Sequence, residues 1–98
     1  MRVAVERGIE GEGLTYASPW PDIRIGEQVE VPLGRSKSRG VVIATGGEEL
    51  LDGLDRAKLK RVAQRLETSL PPDLVELGKW IASYYVAPLG MTLASMVP

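Results

Sequence analysis

The sequence predicts an α+β domain, with a β-rich part over residues 1–66 and a helical segment over residues 70–98. Two patterns carry that expectation. Up to about Thr45, apolar residues alternate with polar ones between frequent glycines and prolines, as in short strands joined by turns. From Pro71 onward, apolar residues recur every three or four positions, as in helices that bury one face. A Pro88-Leu89-Gly90 step then interrupts one helical pattern and starts another.

Taken in order, Val3 and Val5 alternate with charged neighbours and predict a first strand from about Arg2 to Arg7. Gly8 to Gly13 reads as a loop, and Leu14-Thr15-Tyr16-Ala17 as a short β-prone run stopped at Ser18-Pro19-Trp20-Pro21. After a turn at Gly26-Glu27, Gln28 to Val31 alternates until Pro32 ends the run. Leu33 to Gly40 is expected to be a hairpin-like connection, and Gly40 to Thr45 a β-branched strand buried on both sides. Gly46-Gly47-Glu48-Glu49 opens an acidic loop.

Residues 55–67 are ambiguous. Leu59, Val62, Ala63 and Leu66 have the spacing of an amphipathic helix. Pro71-Pro72-Asp73 suits a helix start, because proline lacks only an N–H that would be unpaired there and acid favours the helix dipole. Leu74, Leu77, Trp80 (or Ile81) and Tyr84 mark its expected buried stripe, and Leu89, Leu93 and Met96 that of a second helix after Pro88.

Composition narrows the function. The 98 residues make one domain, 44% hydrophobic and 26% charged, as in ordinary globular chains. Cysteine and histidine are absent, which removes disulfides, thiolate metal sites, the usual zinc ligand and every Ser-His or Cys-His arrangement. No apolar run approaches the roughly 18 residues of a membrane span, and the charged N-terminus does not resemble a signal peptide, so a cytoplasmic location is expected. A net charge of −1 argues against a generic polyanion binder, so nucleic-acid binding would need a local basic patch. The end at Val97-Pro98, without a polar tail, reads as a domain taken from a longer protein.

No convergent polar site for catalysis can be assembled, and no cofactor or metal is implied. Gly34 to Gly40 has the flavour of a phosphate-binding loop but lacks the Gly-Lys-Ser/Thr ending. The best clue is basic: Arg35, Lys37 and Arg39 alternate with serines, with no acid between Val31 and Glu48. Such a run offers donors to phosphate oxygens, or else is a solvated hairpin tip whose charges discourage edge pairing. A second run holds Arg56, Lys58, Lys60, Arg61 and Arg65; as a strand it would put Lys58 and Lys60 on one face, Arg61 and Arg65 on the other. Tyr16 is the aromatic expected to be available for stacking on a base, the other reading being a half-buried ring packed on the β part. Trp20 is either an exposed platform or a cap on the core. Trp80, Tyr84 and Tyr85 are read as core or subdomain-interface residues rather than ligand contacts.

These motifs fall in an order that resembles the N-terminal domain of the bacterial primosomal replication-restart helicase family (PriA, primosomal protein N′). The matching pieces are Leu14-Thr15-Tyr16, then Val29-Glu30-Val31-Pro32-Leu33-Gly34-Arg35, then Gly40-Val41-Val42 and Leu59-Lys60. The ending from Pro71-Pro72 through Trp80, Ala82, Tyr84-Tyr85 and Pro88-Leu89-Gly90 completes the match. The resemblance implies that residues 55–67 are a strand, and short β-rich domains do need every strand to close their edges. With it, the β part becomes a small twisted β-barrel or half-barrel of about five or six strands, followed by two C-terminal helices.

The resemblance also implies a non-catalytic function: holding the 3′ end of the nascent leading strand at a stalled fork, independent of base sequence. The parent would then be a helicase, and single-stranded-DNA-binding protein and other primosome proteins would be further partners. Implied DNA-binding residues are Thr15, Tyr16, Gly34 and Lys60, with Arg35 as a supporting phosphate contact; Lys37 and Arg39 are candidate DNA contacts from the basic run itself. One departure stands out: Thr15 takes the place where the family usually has aspartate. Threonine is uncharged and shorter, so DNA binding is expected to persist with a diminished preference for a free 3′ end. The reading from another class is an interaction or interdomain packing module that uses the β surface or the aromatic helix and recognises no nucleotide.

Overall fold

A computed structural model describes residues 1–6, 14–18, 20–33, 35–46, 60–85 and 87–97. Five strands precede two helices: β1 (Arg2–Val5), β2 (Leu14–Thr15), β3 (Glu27–Leu33), β4 (Ser36–Ala44), β5 (Gln64–Ser69), α1 (Pro72–Tyr85) and α2 (Leu89–Met96). The strands form one antiparallel sheet in the order β2-β1-β4-β3-β5. The α+β expectation holds. The sheet is open rather than closed into a barrel, but its two ends are brought together by one parallel bridge between Ala17 and Arg61. In that bridge the Ala17 N–H donates to the Lys60 carbonyl (2.9 Å) and the Val62 N–H to the Ala17 carbonyl (3.0 Å).

Strand periodicity divides the core between the two sheet faces. On one face Val3, Val5, Val29, Val31 and Val42 pack with Met1, Tyr16 and Val62, and Leu14, Trp20 and Ile23 lie against them. On the other, Ala4, Val41, Ile43 and Leu70 meet Val75 and Ala82 of α1 and Leu89 and Leu93 of α2. β4 lies between β1 and β3, so Val41, Val42 and Ile43 are buried alternately on both faces, as their β-branched run predicts.

Two local expectations are corrected and one ambiguity is resolved. The basic run from Ser36 to Arg39 is strand, not connection: β4 begins at Ser36 and pairs with β3 from Leu33↔Ser36 to Gln28↔Val41. Small and charged residues alternate there with period two, which is itself a strand signal, and Ser38 is buried between exposed Lys37 and Arg39. Pro32 does not end β3. The last β3 residue paired with β5 is Glu30, so β3 is locally an edge at Pro32, where the missing N–H breaks no ladder bond on that side. In the third region, Gln64 to Glu67 are strand, as the resemblance implies, and the strand runs on to Ser69. Residues 55–59 lie outside the described residues.

The Pro-Leu-Gly step also has a tertiary cause. Pro88 caps α2 in extended conformation and its carbonyl accepts from the Thr92 N–H at 3.1 Å. Gly90 then lies against β1, where a Cβ would collide with the Val5 carbonyl, so only glycine lets α2 dock on the strand backbone. Gly26 is needed for a different reason: its φ of 98° opens β3 while its carbonyl accepts from the Leu70 N–H (2.7 Å).

The α1 stripe is the largest correction. Leu74, Leu77, Trp80 and Tyr84 are exposed, and Val75, Gly78 and Ala82 are buried instead. Both sets have helical spacing, so periodicity could not choose between them. Packing does: a Cβ at Gly78 would strike Leu93, so only a face of small residues fits this close to α2.

Candidate nucleic-acid interface

Tyr16 is where three distant segments meet. Its ring is 4% exposed and lies in the core beneath the sheet, so it is not the open stacking platform the sequence suggested. Its N–H donates to the Met1 carbonyl and its own carbonyl accepts from the Met1 ammonium, both at 2.8 Å. Its hydroxyl donates to the Pro32 carbonyl at 2.8 Å, just before the β3–β4 turn. Its neighbour Ala17 holds Lys60 and Val62 through the bridge. Residues 15–17, 32–33 and 60–62 therefore converge, although the chain separates them widely.

Burial sets the charge behaviour at this junction. Removal of the Tyr16 phenol from water raises its pKa above 10.0, since the phenolate would be poorly solvated. Burial lowers the Met1 ammonium below 8.0, with the neighbouring Arg2 adding to the effect.

The predicted site residues divide into two groups. Thr15 is half-buried at the end of β2, paired with Arg2, and alternation turns its side chain away from the face that holds Leu14 and Tyr16. Lys60 is exposed beside the bridge, and Arg35 is exposed at the turn just before β4. Thr15, Tyr16, Arg35 and Lys60 thus belong to segments that the fold gathers; Gly34 lies outside the described residues. Lys37 and Arg39 lie beyond these segments, along β4. Register places Lys37 with Pro32 and Arg39 with Glu30, on the sheet face opposite the Tyr16 ring. Lys37 approaches Glu30 at 3.9 Å, a contact too long and too exposed to hold it firmly. Among the described residues, no ion pair engages Arg35, Arg39, Lys60 or Arg61.

Sequence reasoning missed the group that fixes the loop before β3. Arg65 donates from Nη2 and Nε to Glu27 (2.7 and 3.1 Å) and from Nη1 to Asp22 (3.0 Å). Its guanidinium lies 5.6 Å from the centre of the Trp20 ring. Arg65 is therefore occupied within the protein, and Trp20 is the core cap rather than a platform. Hydrogen bonding to Glu27 first, then to Asp22, raises the Arg65 pKa, while the Arg65 hydrogen bond lowers that of Asp22 below 3.8. No local signal announces this trio, because its members come from a loop and two strands.

The gathering of residues 15–17, 32–33 and 60–62 follows the order of motifs noted in the sequence, and a family comparison bears on the whole of it. The sequence model of the 3′ DNA-binding domain (3′BD) of PriA matches residues 2–98. The chain belongs to this family. It is a DNA-binding family, not a catalytic one, and replication restart by the primosome is its setting. A search of curated proteins gives no match.

Proposed function

We propose that this domain holds the 3′ end of the nascent leading strand at stalled replication forks, without regard to base sequence, as the N-terminal part of a replication-restart primosome protein. The observation that supports this reading is the junction at Tyr16, where the segments that carry Thr15, Arg35 and Lys60 meet, with the Thr15 side chain on the sheet face that also bears Lys37 and Arg39. In this reading Tyr16 is an internal strut: its hydroxyl holds the turn while its ring fills the core. The Lys60 ammonium and Arg35 guanidinium meet phosphate oxygens, and Gly34 allows the backbone to come close to the terminal nucleotide. The Thr15 hydroxyl replaces a carboxylate as partner of the terminal sugar, with no charge and a shorter reach. Lys37 and Arg39 contact phosphates of the flanking duplex from the sheet face opposite the Tyr16 ring. Residues 1–98 act as one DNA-binding unit of a helicase in the cytoplasm, with single-stranded-DNA-binding protein and primosome proteins as further partners.

Fluorescence anisotropy tests the reading with two labelled oligonucleotides that differ only in a 3′-OH or 3′-phosphate end. Binding is expected to both, with a modest preference for the free hydroxyl that Lys60→Ala abolishes. Affinity should fall steeply with salt, as phosphate contacts require. Absence of binding at low salt, or equal binding to both ends that Lys60→Ala leaves unchanged, would refute the 3′-end assignment.

A further inference from the structure

Helix α1 has more apolar surface than the domain covers. Val75, Gly78 and Ala82 face α2 and the sheet. At 100° per residue, Leu74, Leu77, Ile81 and Tyr84 form a second stripe, with Trp80 at its flank. Leu77 is 45% exposed, Trp80 62%, Tyr84 67% and Tyr85 69%. The rings brace one another, Trp80 stacked on Tyr84 at 5.3 Å and Tyr84 edge-on to Tyr85 at 4.9 Å. Only a narrow polar strip remains, where Lys79 pairs with Glu76 at 3.2 Å.

We propose that this stripe is an interface between two copies of the chain, α1 against α1 in antiparallel orientation. Its charge argues against DNA. The stripe carries no cation, Asp73 lies at its start, and the last turn of α1 has no basic residue, so nothing draws phosphate to the rings. Its pattern is self-complementary. A two-fold axis at the level of Lys79 sets Leu74 of each copy opposite Tyr84 of the other, and Leu77 opposite Ile81. Its area fits a reversible pair. Rings of this type present about 150–250 Å² each, so three that are two-thirds exposed offer about 400 Å². With Leu74 and Leu77 the face reaches about 550 Å², or about 1,100 Å² for two copies, just below the range of stable complexes. The dimer is therefore transient, formed at high concentration and dissociated on dilution.

Sedimentation velocity of the full chain from about 10 µM to about 1 mM tests it, in parallel with Trp80→Ala and Leu77→Lys. Circular dichroism verifies that both variants fold, as their exposed positions allow. The native weight-average coefficient is expected to climb from the monomer toward the dimer value, with a blue shift of Trp80 emission, while both variants remain monomeric throughout. A native chain that stays monomeric at the highest concentration would overturn the proposal, as would a dimer that survives both substitutions. Anisotropy with the 3′-OH oligonucleotide is read separately on the same variants and stays unchanged, because Leu77 and Trp80 lie on the exposed side of α1 and neither is a proposed DNA contact. A monomeric chain that binds DNA would sink the dimer alone.

Discussion

Tyr16→Phe separates the strut from a DNA contact. The substitution keeps the ring in the core and removes only the hydroxyl that donates to the Pro32 carbonyl at 2.8 Å. Loss of one such bond, with a partly buried carbonyl left short of a partner, costs about 1–2 kcal/mol. In a domain of this size that lowers the melting temperature by about 5–12 °C. The effect on DNA is bounded by the same energy. If the β3–β4 turn must be re-formed on binding, the cost cannot exceed the bond that was lost, so affinity falls by no more than about thirtyfold. Thermal melting by circular dichroism and anisotropy with the 3′-OH oligonucleotide give the two numbers. Unchanged melting with binding weakened more than a hundredfold would show the phenol meeting DNA itself, and the strut assignment would be wrong. The alkaline limb adds a second reading. The folded-state pKa of Tyr16 is raised, so its contribution to stability is complete below about pH 10 and lost as pH rises through the folded value. Tyr16→Phe should remove that part of the alkaline decline.

Two further outcomes follow from the packing. Gly90→Ala drives a methyl group into the Val5 carbonyl and should destabilise the domain by about 1–3 kcal/mol, measured as a lower denaturant midpoint; an unchanged midpoint would mean that α2 does not rest on β1. Because Arg65 holds the Asp22 carboxyl below 3.8, that link is complete above this pH and lost as pH falls through the folded value. In a Trp80→Phe background, Trp20 emission should therefore change in acid, and Arg65→Met should show the same change at neutral pH; an acid-insensitive Trp20 would contradict the link.

Much of this molecule is legible in the chain because its signals are local. Val3 and Val5, Val29 and Val31, and the Val41–Ile43 run mark their strands, and each is buried where alternation places it. Lys60 and Thr15 are legible as candidates only through ordered motifs, Arg35 also through its basic run, and neither signal predicts that their segments meet. The burial of Tyr16 has a tertiary cause. A tyrosine between a glycine-rich loop and a proline reads as exposed, and only the fold brings Pro32 within reach of its hydroxyl. The same holds for Arg65, whose run of cations looks like solvated surface until Asp22 and Glu27 are brought beside it.

By itself the sequence determined the α+β class, the two-sided burial of the central strand, the helix start at Pro71-Pro72 and the break at Pro88. These rest on backbone chemistry and side-chain periodicity, which act over a few residues. The tertiary structure alone decided which stripe of α1 is inside. Leu74, Leu77 and Tyr84 share helical spacing with Val75, Gly78 and Ala82, and local hydrophobicity favours the larger set. The choice fell to close packing: with Leu93 against Gly78, there is room only for the small residues, and the large ones are left facing out.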